Sequence, residues 1–164
     1  MTLTLILTRH AKSDWGDPSV DDHDRPLNKR GRRDAPRVGQ WLKDNDLYPE
    51  HALCSSAKRA KETLEGIAPD VPAFIMSDLY LASPTRMASV LQAASPERQI
   101  LVAHNPGIAS LAEQVVAAAP DHPRFQDYPT AATLVVDFDI ETWADRTPGT
   151  GRVRAFFTPH DLPE

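Results

Sequence analysis

The chain has 164 residues, 41% of them hydrophobic, with 18 Lys and Arg against 23 Asp and Glu, a net charge of −5, and one cysteine. That length fits one compact domain over 1–164 with a substantial core. The lone Cys54 excludes an internal disulfide framework and a Cys-rich zinc site, as is usual in a reducing cytosol. The acidic balance argues against nucleic-acid or anionic-membrane partners, which need a basic surface to release counterions, so any phosphate site must be local.

Met1 leads into TLTLILT, which lacks the basic start and cleavage site of a signal peptide, and no stretch approaches the ~18 apolar residues of a membrane span. The expectation is a cytoplasmic protein. Residues 3–8 (LTLILT) are almost wholly apolar, the pattern of a strand buried on both faces as in a parallel sheet. Similar runs at 51–54 (HALC), 72–76 (PAFIM), 99–103 (QILVA), 133–138 (TLVVDF) and 153–157 (VRAFF) make about six strands.

Between the strands, residues 34–44 place Ala35, Val38, Trp41 and Leu42 on one helical face, with Pro36 expected in the first turn or at a kink. Residues 56–67 follow Ser55 as a cap, and 84–94 open with Ser83-Pro84, a cap followed by proline at the first helical position. Asn105-Pro106 repeats that grammar before an Ala-rich helix to about Ala119, and DRTPGTG at 145–151 reads as the turn between the last two strands. The alternation predicts an α/β fold with a mostly parallel central sheet, helices on both faces, and the closing strands added at an edge.

Polar residues gather at strand ends. The first strand runs into Thr8-Arg9-His10, the second into Ser55-Ser56 with Arg59 one helical turn on, and the fourth into His104-Asn105-Pro106. In open α/β sheets, ligands bind outside the carboxyl ends of the strands, where helix N-termini also point. Two arginines and two histidines at one edge spell an anion site, most simply for a phosphoryl group, because the guanidinium fork matches phosphate oxygens and stays charged.

At these residues the chain resembles the histidine phosphatase (phosphoglycerate-mutase-like) superfamily, with Ala11 where the family's Arg-His-Gly motif has glycine. The blocks RHAKSDW (9–15), DRPLNKRG (24–31), CSSAKRAKET (54–63), DLYLAS (78–83), VAHNPG (102–107) and YPTAAT (128–133) resemble its small SixA-type phosphohistidine phosphatases. The resemblance implies a three-layer phosphoglycerate-mutase-like sandwich and a metal-independent phosphatase without a cofactor. In it His10, as a neutral imidazole, attacks phosphorus and forms a phosphohistidine intermediate that water hydrolyses. Arg9 and Arg59 would clamp the oxygens, a protonated His104 would add a donor, and Arg25 matches a further family arginine near the phosphate. Asp78 matches the carboxylate that larger members use to protonate the leaving oxygen, and reads equally as a turn residue. The implied partner is a phosphohistidine-containing protein such as a phosphotransfer domain, or else a small phosphorylated substrate. His10 needs its second nitrogen bonded to a carbonyl or carboxylate that sets the tautomer.

Other residues read blandly. Asp21-Asp22-His23-Asp24 is expected to be a solvated acidic loop, His51, His122 and His160 to be surface residues, and Trp15, Trp41 and Trp143 to pack; Lys12 and Ser13 line the site or face solvent. Three rival functions remain. A cysteine phosphatase would use Cys54 before Arg59, but the spacing is Cys-x4-Arg, the loop has no glycine, and an inert buried thiol fits better. A phosphomutase needs a lid for which this length leaves little room, and a non-catalytic phosphoprotein-binding module has no need of His10 beside Arg9.

Overall fold

The structure, a computed structural model, describes residues 1–163. The apolar runs become β1 (Leu3–Arg9), β2 (His51–Ser55), β3 (Ala73–Met76), β4 (Gln99–Ala103), β5 (Thr133–Phe138) and β6 (Arg152–Phe157), each within one residue of its expected bounds. They form one sheet in the order β3-β2-β4-β1-β5-β6. Strands β1 to β4 pair in parallel, β5 runs antiparallel to β1, and β6 pairs antiparallel with β5 at the edge. The four helices are α1 (Lys29–Asp44), α2 (Lys58–Ile67), α3 (Pro84–Gln92) and α4 (Gly107–Val115).

Alternation along the inner strands divides the core in two. Leu3, Leu5, Leu7, Leu53 and Leu101 face α3 and α4, where Met87, Leu91, Ile108 and Leu111 close one cluster. Ile6, Ala52, Cys54, Ile100 and Val102 face the other way, against Val38 and Leu42 of α1 and Ala60 and Leu64 of α2. Both faces of the inner strands are therefore buried, which is why their sequences read as continuous rather than alternating apolar runs. The result is a three-layer α/β sandwich, a mostly parallel sheet with helices on both faces.

Helix ends depart from expectation in several places, α3 among them, which stops at Gln92 rather than 94. Helix α1 starts at Lys29, because Asn28 Oδ1 accepts the amide of Gly31 at 2.9 Å, and Pro36 sits well inside it. The polar KRGRR turn carries no apolar periodicity to advertise that start. Helix α2 begins at Lys58 after Ala57; Ser55 instead ends β2, its Oγ accepting from the Ala57 amide at 3.2 Å. Helix α4 stops at Val115, short of Ala119, with Pro106 before rather than inside its first turn. Its last carbonyls are taken by another segment: Gly149 N donates to Gln114 O at 2.8 Å and Gly151 N to Val115 O at 2.8 Å, while Val116 bridges Gly151.

His51 and Trp15 depart from expectation, whereas Trp41 and Trp143 pack as expected. His51 is buried, with Nδ1 2.9 Å from Gln99 Oε1, and His122 is bound to Asp161 at 2.8 Å. Trp143 is fully buried and Trp41 packs on Phe157, whereas Trp15 is 71% exposed. Among the described residues no helix is long and apolar enough to cross a membrane.

Candidate active site

Strands β1, β2 and β4 end almost level, since Arg9 pairs with Ala103 and Cys54 with Val102. The His10 amide donates to Ala103 O at 3.1 Å, and the Ala131 amide to the carbonyls of Arg9 and His10. The chain is thus clasped from both sides where it leaves β1, and Ala131 takes a left-handed φ of 61° to do so. From below, Thr63 Oγ1 accepts the Ala11 amide at 2.9 Å and donates to Arg59 O at 2.6 Å, tying the turn after His10 to α2. Ala11, in the place of glycine, is fully buried in the α1–α2 cluster.

Around this junction lies a cavity of about 280 Å³ lined by Arg9, His10, Lys12, Ser13, Trp15, Asp22, Arg25, Arg59, Leu81, His104, Asn105 and Thr130. A larger groove, of about 500 Å³ along Glu113–Gln126, lacks convergent charge and is not the site chemistry favours. Five of the six expected site residues line the smaller cavity: Arg9, His10, Arg25, Arg59 and His104. Asp78 does not. It lies in the exposed turn Ser77–Leu79, with Arg86 3.9 Å away, because that turn directs its polar side chain to solvent and buries Leu79 instead.

His10 is 6% exposed, and its Nδ1 lies 2.8 Å from the carbonyl oxygen of Ala11. A carbonyl only accepts, so Nδ1 carries the proton and Nε2 keeps its lone pair. Burial, partly offset by the Ala11 carbonyl and reinforced by His104, Arg9 and Arg59, pushes His10 down to about 3. His104 corrects the expectation of an imidazolium: burial and then Arg59 hold it at about 4, neutral in the pocket as it stands. Arg59 Nη2 lies 3.4 Å from His104 Nδ1 and can only donate, so the proton sits on Nε2, 2.7 Å from Ser55 Oγ.

The arginines are aimed by main-chain and carboxylate acceptors. Arg9 Nη1 donates to Tyr128 O at 3.2 Å, and its buried Nε has no partner among the described residues. Burial and Arg59 lower the Arg9 guanidinium from its usual value, but a guanidinium remains charged. Asn105 donates to the same Tyr128 carbonyl at 3.0 Å. Arg25 donates through Nη1 to Ser13 Oγ at 2.7 Å and Asp14 O at 3.2 Å, with its guanidinium 3.5 Å over the Trp15 ring. Arg59 Nη1 donates to Asp22 O at 2.6 Å.

Asp22 is the residue that sequence reasoning missed. Its carboxylate accepts from Arg59 Nη2 at 3.1 Å, from Arg25 Nε at 3.2 Å and from the Tyr80 hydroxyl, and that bond with Tyr80, then Arg59, pulls its pKa down to about 2. The turn Asp22–Asp24 packs over the start of α2, which draws one acid of an otherwise solvated run into the site. Trp15 was likewise hidden, since a single exposed aromatic has no sequence signal. Cys54 is fully buried, its thiol pushed up to about 12 by burial, so it offers no thiolate.

The pocket therefore combines three guanidinium groups, a neutral imidazole with a free ring nitrogen, and a second neutral imidazole. That set can hold a tetrahedral oxyanion while a nitrogen lone pair meets its central atom. Residues 5–80 match the family model described as histidine phosphatase superfamily, branch 1. An uncharacterised protein of Mycobacterium tuberculosis H37Rv is 33% identical over 158 residues, covering 92% of this chain and 99% of its own. A candidate phosphohistidine phosphatase SixA from Nakamurella multipartitia superposes with a TM-score of 0.81 at 25% identity, over 97% of each chain. A second such SixA structure, from Agrobacterium tumefaciens, gives 0.78 at 25% identity over 95% of this chain and 97% of its own.

Proposed function

Because the chain belongs to the histidine phosphatase superfamily, and is a phosphatase, we propose that it hydrolyses phosphohistidine in a protein through a phosphoryl intermediate on His10. The observation that carries this reading is the His10–Ala11 bond, which leaves an unprotonated Nε2 in a pocket with three arginines. In the first step Nε2 attacks phosphorus in line. The bond from phosphorus to the substrate nitrogen breaks, that nitrogen keeps the pair, and the substrate imidazole, protonated on its other nitrogen, departs neutral. Water then attacks the phosphoryl group on His10, the electron pair returns to Nε2, His10 is again neutral with its proton on Nδ1, and both water protons leave with inorganic phosphate.

Arg9, Arg25 and Arg59 hold the equatorial oxygens, where charge spreads in a loose transition state. A dianionic phosphoryl group raises the pKa of His104, and a proton gained at Nδ1 converts it from an acceptor of Arg59 into a further donor. A nitrogen leaving group also suits the acids present. Asp22 is ionised and bound to arginines, and Asp78 lies outside the cavity, so among the described residues no carboxyl group stands ready to protonate an ester oxygen. A cavity of about 280 Å³ fits a phosphoryl group and the end of one side chain better than an enclosed metabolite. The natural partner in this reading is a phosphotransfer domain of a cytoplasmic phosphorelay, and small phosphate esters are poorer substrates.

The test compares a phosphorylated histidine phosphotransfer domain with p-nitrophenyl phosphate and 3-phosphoglycerate. The expected kcat/KM is about 100-fold higher for the phosphoprotein, a difference of about 2.7 kcal/mol in transition-state stabilisation. An acid-labile phosphoenzyme is expected to disappear in His10→Ala. Full turnover by His10→Ala, or faster reaction of either ester, would overturn the reading.

A further inference from the structure

The exposed face beside the pocket carries charge in an unexpected place. Residues 28–37 hold Lys29, Arg30, Arg32, Arg33 and Arg37 against Asp34, four positive charges above balance, so the rest of this −5 chain stands at −9. Lys29, Arg30, Arg32 and Arg33 are all exposed and occupy the start of α1, which has no acidic residue in its first turn. A helix N-terminus bears the positive end of the macrodipole, so cations there work against local stability, and such a departure from local preference marks a functional demand. Asp34 is buried, and the shortest of its three arginine contacts, 3.0 Å, goes to Arg37; Lys29 and Arg32 have no carboxylate partner among the described residues.

This cationic turn is joined directly to the pocket mouth. Lys12 lines the pocket, while its carbonyl accepts the Asn28 amide at 3.0 Å, and Ser13 bridges Leu27. Trp15 and Leu81, 71% and 56% exposed, also line the pocket, and they are two of the five exposed large hydrophobic residues among the described residues. An apolar pair beside a reacting centre, with exposed cations on the segment bonded to the same loop, has the anatomy of a protein interface: an anchoring centre with a charged rim that steers encounter.

Resting on the proposed phosphohistidine activity, we infer that Trp15, Leu81 and the basic turn Lys29–Arg33 form a docking surface for the phosphoprotein substrate, whose phosphohistidine lies on an acidic helix face. An acidic partner is favoured over nucleic acid because the surplus of positive charge is local, in this turn and in the pocket beside it, on a chain that is acidic as a whole.

The test uses an acidic histidine phosphotransfer domain, phosphorylated with phosphoramidate, beside phosphoimidazole as a small substrate. Lys29→Glu/Arg33→Glu places acids where the helix dipole favours them, and Arg30 and Arg37 still hold the buried Asp34 carboxylate, so the fold is retained. The expected result is a KM about tenfold higher for the phosphoprotein at low salt, a difference lost in about 0.5 M NaCl, and unchanged kcat/KM for phosphoimidazole. Equal effects on both substrates, or none, would overturn the docking surface. If wild-type protein turns over phosphoimidazole but never the phosphoprotein, the functional reading fails by itself. The surface is then judged by anisotropy with the unphosphorylated domain: binding weakened about tenfold by the double variant, and also weakened by Leu81→Ser, supports it. No binding, binding indifferent to these changes, or tighter binding of duplex DNA overturns it.

Discussion

The imidazole rings of His10 and His104 lie 5.1 Å apart, buried together, and both are held neutral far below the ordinary histidine range, at about 3 and about 4. In the unfolded chain each takes a proton near pH 6.5, while in the folded chain neither does until the pH is much lower. The folded pKa values are depressed, so the unfolded state binds more protons between about 6.5 and 4, and stability falls as pH falls through that window. At pH 5 the loss is about 2 kcal/mol for each ring, taking 1.36 kcal/mol per unit. Urea denaturation at pH 7.5 and pH 5 measures it, and His10→Asn is expected to remove roughly half. The Asp22 carboxylate, with a folded pKa of about 2, adds its own loss only below the usual carboxylate range. Imidazole NMR resonances of both histidines are expected to stay unmoved between pH 8 and 5.

A second prediction concerns the contact that sets α1 beside the site. A methyl group on Gly31 would stand 2.2 Å from the Lys12 carbonyl oxygen, backbone that cannot swing aside. That carbonyl also accepts the Asn28 amide, so the strain reaches the helix start and the loop carrying Lys12 and Ser13 together. Gly31→Ala is expected to cost about 1–3 kcal/mol in denaturation, as overpacking does, and to lower kcat/KM at temperatures where the protein is still folded. A variant as stable as the parent would show that the two segments are less tightly joined than their geometry indicates.

The contrast between Arg59 and Asp22 explains how much of this molecule could be read in advance. Strand runs such as LTLILT and QILVA are legible because burial on both faces leaves no charged residue in them and few polar ones. Arg9, His10, Arg59 and His104 are legible because strand ends converge by topology, whichever way side chains turn. Asp22 is not, because its role depends on a turn folding over α2 and meeting Tyr80 from a distant segment. The neutral state of His104 is a property of surrounding charge and burial that no motif encodes. The early end of α4 is set by residues 149–151, far along the chain.

Cys54 offers a sharp test of the chemistry. It is fully buried with its thiol pushed up to about 12, and its sulfur donates weakly to Ser55 O at 3.4 Å. Cys54→Ser is expected to keep kcat within about twofold while losing about 1 kcal/mol or more of stability, the penalty of a hydroxyl in an apolar site. Iodoacetamide is expected to leave the native protein active. Inactivation by that reagent, or loss of the phosphoenzyme in Cys54→Ser, would move the nucleophile from nitrogen to sulfur.

The two acids at issue separate cleanly. Asp78 is exposed and meets only Arg86 at 3.9 Å, a pair of the kind worth little in water. Asp78→Asn is therefore expected to change kcat/KM by less than about twofold on any substrate. Asp22 accepts from two arginines of the pocket through one carboxylate, and charged hydrogen bonds of this kind are worth about 1.5–3 kcal/mol. Asparagine in its place puts an amide N–H where one oxygen faces Arg25 or where the other faces Arg59, and a guanidinium only donates, so one of the two loses its hold. The main-chain bond from Arg59 to the carbonyl of residue 22 survives, which limits the damage. Asp22→Asn is expected to lower kcat/KM about tenfold, with most of the change in KM, because misaimed arginines bind the phosphoryl group less well. Steady-state kinetics on the two variants side by side decides the matter, and a larger effect at Asp78 would return the acid to the position first suggested by the DLYLAS block.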